Sequence, residues 1–363
     1  MPLPDVRRLL LTGVVALAGV WVRAQPPPAS VQADRVGTAE GLSALAIADL
    51  HQSADGFVWA ATAGGVDRFD GQTVRTFRHD PGRVSSLSHP EIHALAGAPG
   101  GRLWVGTYGG GLNLFDPTTD TARRIRSRPQ DPTAPSDDRV TVLHRDRRGR
   151  LWMGTMSGLD RVDERTGRVR RFGAPVGAVR DVADAPDGRL WVGGEGGLVL
   201  FDPGRARVVA RHVGAPSVMS LASVADGGVW VGYGSDGLAR LDPDGRRVAR
   251  FRAGDAAGSC GDQVHDLALE RSGALWVATR DGGVCRLDTA RRRFTAYPAD
   301  ADNPRTPASD QARTLLLDRG GLVWVGTWVA GIARLRQTPF RHVRATPAEG
   351  FRSSSMFGFA ETP

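Results

Sequence analysis

The sequence predicts an all-β protein, a single seven-bladed β-propeller of four-stranded antiparallel blades. Three observations carry this prediction. A tryptophan recurs seven times, at Trp59, Trp104, Trp152, Trp191, Trp230, Trp276 and Trp324, with separations of 45, 48, 39, 39, 46 and 48 residues. The frame around it is fixed: Gly stands three residues before each Trp, Leu or Val nine before, and Ile, Val or Ala twelve before. Between these points run short apolar segments broken by Gly, Asp and Pro, which is the chemistry of strands and tight turns.

The first 24 residues stand outside the repeat. Arg7 and Arg8 precede an apolar run over residues 9–22, and Val22-Arg23-Ala24 offers a small residue at a cleavage point. This is the pattern of an export signal peptide, residues 1–24. The run is shorter than the ~20 residues that a spanning helix needs, although an uncleaved anchor is the alternative. Residues 25–33, with three prolines, read as a linker. No later stretch is apolar enough for long enough to span a bilayer, so the mature chain is expected in the periplasm.

Residues 34–345 form the predicted ring. Its plan is clearest in the third repeat. Residues 140–144 (VTVLH) are strand A, a turn holding Gly149 reverses the chain, and residues 151–155 (LWMGT) are strand B. A Gly-containing turn leads to strand C at residues 158–162, and an Asp/Gly turn to strand D at 169–172. Glycine supplies the positive φ of such turns at low steric cost. A blade is packed on both faces, so strands A and B can be apolar on both sides, and the seven tryptophans are expected to fill the wedges between blades. Residues 35–37 should be the outer strand of the last blade, beside residues 332–335, closing the ring; residues 340–344 are the rival for that place. Residues 346–363 repeat the D-strand, linker and A-strand pattern and read as the start of a further repeat, cut short.

Composition narrows the partners. The formal charge is +8, and all 47 basic residues are Arg. Their clusters are scattered along the chain, not gathered on one face with aromatic platforms, so nucleic acid is not an expected partner. An exported compartment permits a disulfide between Cys260 and Cys285, and composition leaves open whether they are bonded.

Few residues suggest chemistry. The position eleven residues before each Trp, on strand A, should face the central channel. It holds His93, Arg180, His265 and Arg313, with Ala48, Thr141 and Met219 in the other blades. His93 and His265 belong to well-separated blades, so shared metal ligation is not expected. No cofactor is implied, and no nucleophile elbow, phosphate loop or carboxylate pair stands out. Four residues after the Trp, at the tips of the B–C turns, come Tyr108, Met156, Glu195, Arg280 and Trp328, with Ala63 and Gly234 in the remaining blades. These should ring one mouth of the channel. Aromatic faces with an acid and an arginine suit a small carbohydrate or peptide-like ligand.

The stretches DRRGRLWMGTMSGLDRVD and GRLWVGTYGGGLNLFDP resemble the two-component regulator propeller repeat. Ala61 and Ala278 depart from it at the Gly of W-x-G-T, and Gly194 and Tyr233 at its Thr. The resemblance implies a non-catalytic periplasmic sensor segment of a membrane-bound signalling protein. Its parent would carry further propeller repeats and an output module, a histidine kinase or a diguanylate cyclase, and pairing as a homodimer stays open. The alternative is an exported seven-bladed enzyme of the lyase type.

Overall fold

The computed structural model describes residues 30–212, 216–255 and 259–338. The signal segment, residues 340–344 and the truncated repeat lie outside the described residues. Strand β1 (Ser30–Val36) opens the described chain. Blade 1 follows as β2 (Ile47–Gln52), β3 (Val58–Thr62), β4 (Gly65–Phe69) and β5 (Val74–Phe77). Blades 2 to 6 repeat this A–B–C–D order over residues 92–125, 140–171, 179–212, 218–251 and 264–297. Blade 7 takes β26 (Ala312–Leu317), β27 (Val323–Thr327) and β28 (Ile332–Thr338) from the end of the described chain. Its fourth strand is β1, hydrogen-bonded to β28. Seven four-stranded antiparallel sheets result, as the repeat predicts. The inner strands contact one another in sequence and β26 meets β2, which closes the ring. The linker is shorter than its prolines suggest: residues 30–33 are already in the closing strand, where Ala33 is buried and donates its amide to the Arg305 carbonyl.

The repeat frame has a packing reason at each position. The tryptophans are nearly or fully buried and lie in the clusters formed between blades. Each indole N–H inside such a wedge needs an acceptor, since an unpaired buried donor costs about 1–3 kcal/mol. The residue six before the Trp supplies it in several blades: Trp152 donates to Asp146 at 2.8 Å, Trp276 to Glu270 at 2.6 Å and Trp324 to Asp318 at 2.9 Å. Blade 2 has Ala98 there, and Glu164 of blade 3 accepts from Trp104 instead, at 2.8 Å. Blade 4 has Ala185, and Trp191 Nε1 is left without a partner among the described residues.

The Gly two residues after the Trp is set by close approach of the next blade. A Cβ on Gly154 would lie 2.6 Å from Val142 Cγ1 and 2.8 Å from Val179 Cγ1, the residue twelve before the following Trp. The departure at Ala278 is compensated, because the next blade carries Ala312 at that place, the one Ala among seven.

The structure joins Cys260 and Cys285 in a disulfide. Its place is informative. In blade 1, Ser43 Oγ and N–H both donate to Asp67, at 2.9 and 2.8 Å, and Ser43 Oγ meets Thr62 Oγ1 at 2.7 Å. Blade 3 repeats this with Ser136, Asp160 and Thr155; blade 2 uses Ser88, Asn113 and Thr107, where the Ser88 N–H donates to Asn113 Oδ1 but Asn113 Nδ2 donates back to Ser88 Oγ. Cys260, Cys285 and Thr279 occupy the same positions in blade 6. The disulfide therefore ties the loop entering the blade to strand C, as the Ser–Asp pair does elsewhere.

Candidate functional site

The channel residues are placed by a backbone irregularity that recurs in every blade. Strands A and B pair in register except at one point: the ladder shifts between Ile47 and Asp49, Ile92 and Ala94, Val140 and Val142, and Val179 and Asp181. It shifts likewise between Val218 and Ser220, Val264 and Asp266, and Ala312 and Thr314. The unpaired residue of each bulge is the one eleven before the Trp. A bulge re-aims a side chain out of the sheet's alternation. Ala48, His93, Thr141, Arg180, Met219, His265 and Arg313 accordingly line one axial cavity of about 320 Å³.

The B–C tips sit beside this ring because their backbone is tied to strand A. Tyr108 N–H donates to the Glu91 carbonyl, Met156 to Arg139, Glu195 to Ala178, Gly234 to Ser217, Arg280 to Gln263 and Trp328 to Gln311. Each acceptor lies two residues before the bulge. Tip and channel residues then pair. The His93 ring stacks on Tyr108 with centroids 4.6 Å apart, and its Nε2 meets Glu91 at 3.0 Å. Arg180 bridges to Glu195 at 2.8 Å. His265 packs edge-on against Trp328 at 5.5 Å, and the Arg313 and Arg280 guanidinium carbons lie 4.1 and 5.3 Å from the centre of the same indole. The two histidines thus serve different partners. Among the described residues, no three His, Cys, Asp or Glu side chains converge as a metal site.

Burial shapes the charges. His265 is pushed down to about 4 by burial and by Arg313 and Arg280, so it is a neutral imidazole at neutral pH. Burial also lowers His93, against the pull of Glu91. Arg313 is brought down to about 10 by burial and stays charged.

Sequence reasoning missed a second set of residues, one position after the bulge. Asp49, Asp181 and Asp266 are directed back between strands. Asp49 accepts from the Leu50 and Leu95 amides, both at 2.8 Å. Asp181 accepts from Val182 and Leu221, and Asp266 from Leu267 and Leu315. Each carboxyl links its own blade to the next. Burial raises all three, Asp49 and Asp181 to about 7, and repulsion from Asp266 adds to the rise of those two. The signal was an acid ten residues before the Trp in blades 1, 4 and 6. At the opposite mouth, the A–B hairpins border a wider cleft of about 780 Å³ that includes His51, Arg102, Arg145 and Arg319.

The fold and channel define a seven-bladed β-propeller with bulged inner strands and a polar, arginine-bearing axial mouth. The chain matches the two component regulator propeller family, through residues 134–157. No curated protein matches it. Among solved structures it is similar to the extracellular domain of BT3049 from B. thetaiotaomicron, assigned as a hybrid two component system, with 24% identity and a TM-score of 0.75 over 85% of this chain. It covers 42% of that protein's chain. The corresponding domain of BT4673 from B. thetaiotaomicron gives 18% identity and a TM-score of 0.67, over 84% of this chain and 40% of the other. Virginiamycin B lyase from Staphylococcus aureus shares the fold at 13% identity and a TM-score of 0.65, over 84% of this chain and 98% of the enzyme.

Proposed function

We propose that this propeller is a non-catalytic, periplasmic ligand-sensing module of a membrane-bound bacterial signal-transduction protein. The parent's output is a histidine kinase or a diguanylate cyclase. The ligand binds at the channel mouth formed by Tyr108, Met156, Glu195, Arg280 and Trp328 above His93, Arg180, His265 and Arg313. The observation that carries this reading is the bulge in every blade, which presents a variable side chain to one axial site while the flanking residues stay in the packing. The family match and the likeness to extracellular domains of signalling proteins support it. The ligand is small and polar, a carbohydrate or a peptide-like molecule, because the cavity is small and its lining mostly polar.

The test is calorimetric titration of oligosaccharides and short peptides into the wild-type chain and into Tyr108→Ala with Trp328→Ala. Binding should weaken at least tenfold in the double variant. A ligand indifferent to both changes, or one displaced only by Arg145→Ala on the opposite face, would place the site elsewhere. The competing reading, an exported lyase, is supported by the shared fold alone. Turnover of a bound ligand by the isolated chain would favour it.

A further inference from the structure

The cations of the mouth are unevenly matched. Arg180 has Glu195, and Glu91 is held by His93. Arg313 and Arg280 have no ion pair or side-chain hydrogen bond among the described residues. Both lie against the Trp328 indole, and Trp328 Nε1 is buried without an acceptor among the described residues. The neighbouring His265 is neutral and offers no compensating charge, and Glu91 and Asp49 act on Arg313 only through space, without contact. A buried guanidinium is ordinarily paired, since removing it from water without a counter-charge is unfavourable. Here the partly buried Arg313 faces the cavity instead, beside a second arginine, and the indole that orients both is covered by them.

We infer that the mouth recognises a carboxylate on its ligand, held between Arg313 and Arg280, with Trp328 as the support that fixes the two guanidinium groups. The inference rests on the ligand-sensing reading above and changes the role of Trp328, from an open stacking platform to a holder of cations. A planar carboxylate matches the guanidinium fork, and charge-assisted bonds of this kind are about twice as strong as neutral ones. Two sources carry that group in a small polar ligand: a uronic acid residue of an oligosaccharide, and the free C-terminus of a short peptide.

The experiment uses the full chain and two pairs of probes. One pair is a glucuronate-containing disaccharide and its carboxyl-reduced counterpart; the other is a tripeptide with a free and with an amidated C-terminus. Calorimetry is run on wild type, Arg313→Gln, Arg313→Lys and Arg280→Gln, with the thermal midpoint as a control for folding. One acidic probe should bind wild type at least tenfold more tightly than its neutral twin, which identifies the source. Arg313→Gln should remove that preference, and Arg313→Lys, which keeps the charge without the fork, should retain part of it. Equal binding of acidic and neutral probes, lost in Tyr108→Ala with Trp328→Ala, would overturn the carboxylate inference and leave the sensing site intact. A folded Arg313→Gln variant that keeps the preference would overturn it equally. Failure of every probe to bind wild type would overturn both readings.

Discussion

Replacing Cys260 and Cys285 by Ser and Asp should restore part of what loss of the disulfide removes. The bond closes a loop across a sequence separation of 25 residues. In the chain-entropy account such a loop constrains the unfolded state by about 3.5 kcal/mol. Cys260→Ala with Cys285→Ala should therefore lose roughly that amount. Cys260→Ser with Cys285→Asp would not be an arbitrary polar swap, because blades 1 and 3 already use that pair at the same positions. In blade 3 the Ser136 N–H and Oγ donate to Asp160 at 2.8 and 2.9 Å, and Ser136 Oγ contacts Thr155 at 2.8 Å. Thr279 stands ready to complete the set in blade 6. Each bond contributes about 1 kcal/mol net, and desolvation of the carboxyl offsets part of the sum, as the rise of Asp160 to about 6 implies. The expected order in urea denaturation is wild type, then the Ser/Asp variant, then the Ala/Ala variant, with the second step about 1–2 kcal/mol. A Ser/Asp variant no more stable than Ala/Ala would refute the equivalence of the disulfide and the hydrogen-bonded pair.

Two further outcomes follow from packing and charge. Gly154→Ala should destabilise by about 1–3 kcal/mol, since its methyl meets Val142 of its own blade and Val179 across the blade interface; an unchanged urea midpoint would show that the blades can move apart without penalty. The buried aspartates give a pH dependence of unusual sign. Asp49 rises from 3.8 unfolded to about 7 folded, so the native state holds a proton that the unfolded chain releases. That contribution to stability is complete below about pH 4 and is lost as pH rises to about 7, by up to ~4 kcal/mol for one such carboxyl. Asp49→Asn mimics the protonated form. Relative to wild type it should gain stability as pH rises from about 5 to about 8; a constant gap in the urea midpoints would sink the assignment.

The fold was legible because its requirements repeat. One tryptophan in a wedge is an ordinary core residue, but seven in a fixed frame state the blade count, the turn positions and the strand order. The closing strand could be placed because the segment before Ile47 matches the one before Ile92, which assigns Val36 to the place of Phe77. Its start could not, since proline composition says nothing about where pairing to β28 begins. The channel position was readable from its offset, yet the cause was not: an alternation of period two would have sent residue 93 into the sheet, and only a bulge turns it into the channel. The aspartates after the bulge escaped notice for the same reason. In a regular strand Asp49 would face the side opposite to Leu50, and nothing in the sequence says that its carboxyl reaches the Leu95 amide of the next blade.

The bulge also separates what holds the ring from what the ring can recognise. The residue before it packs against the neighbouring blade's frame, as Val179 does against Gly154, and is aliphatic in every blade. The acids after it are fixed by two backbone amides from adjacent blades, where the other blades carry Ala94, Val142, Ser220 or Thr314. Between them the bulged residue alone has no ladder partner, and it ranges from Ala48 through Met219 to Arg313. At Arg313 a change alters the lining of the channel without opening the wedge, because its side chain has no interblade hydrogen bond among the described residues, unlike Thr141, which donates to the Val179 carbonyl of the next blade. Arg313→Gln should thus leave the folding stability within about 1 kcal/mol of wild type, since the lost contact with the Trp328 indole and the relief of a partly buried, unpaired charge offset each other. Gly154→Ala, whose methyl enters the interblade contact, should not. Equal losses of stability in the two variants would show that the channel lining and the interblade packing are one structure, and the separation would fail.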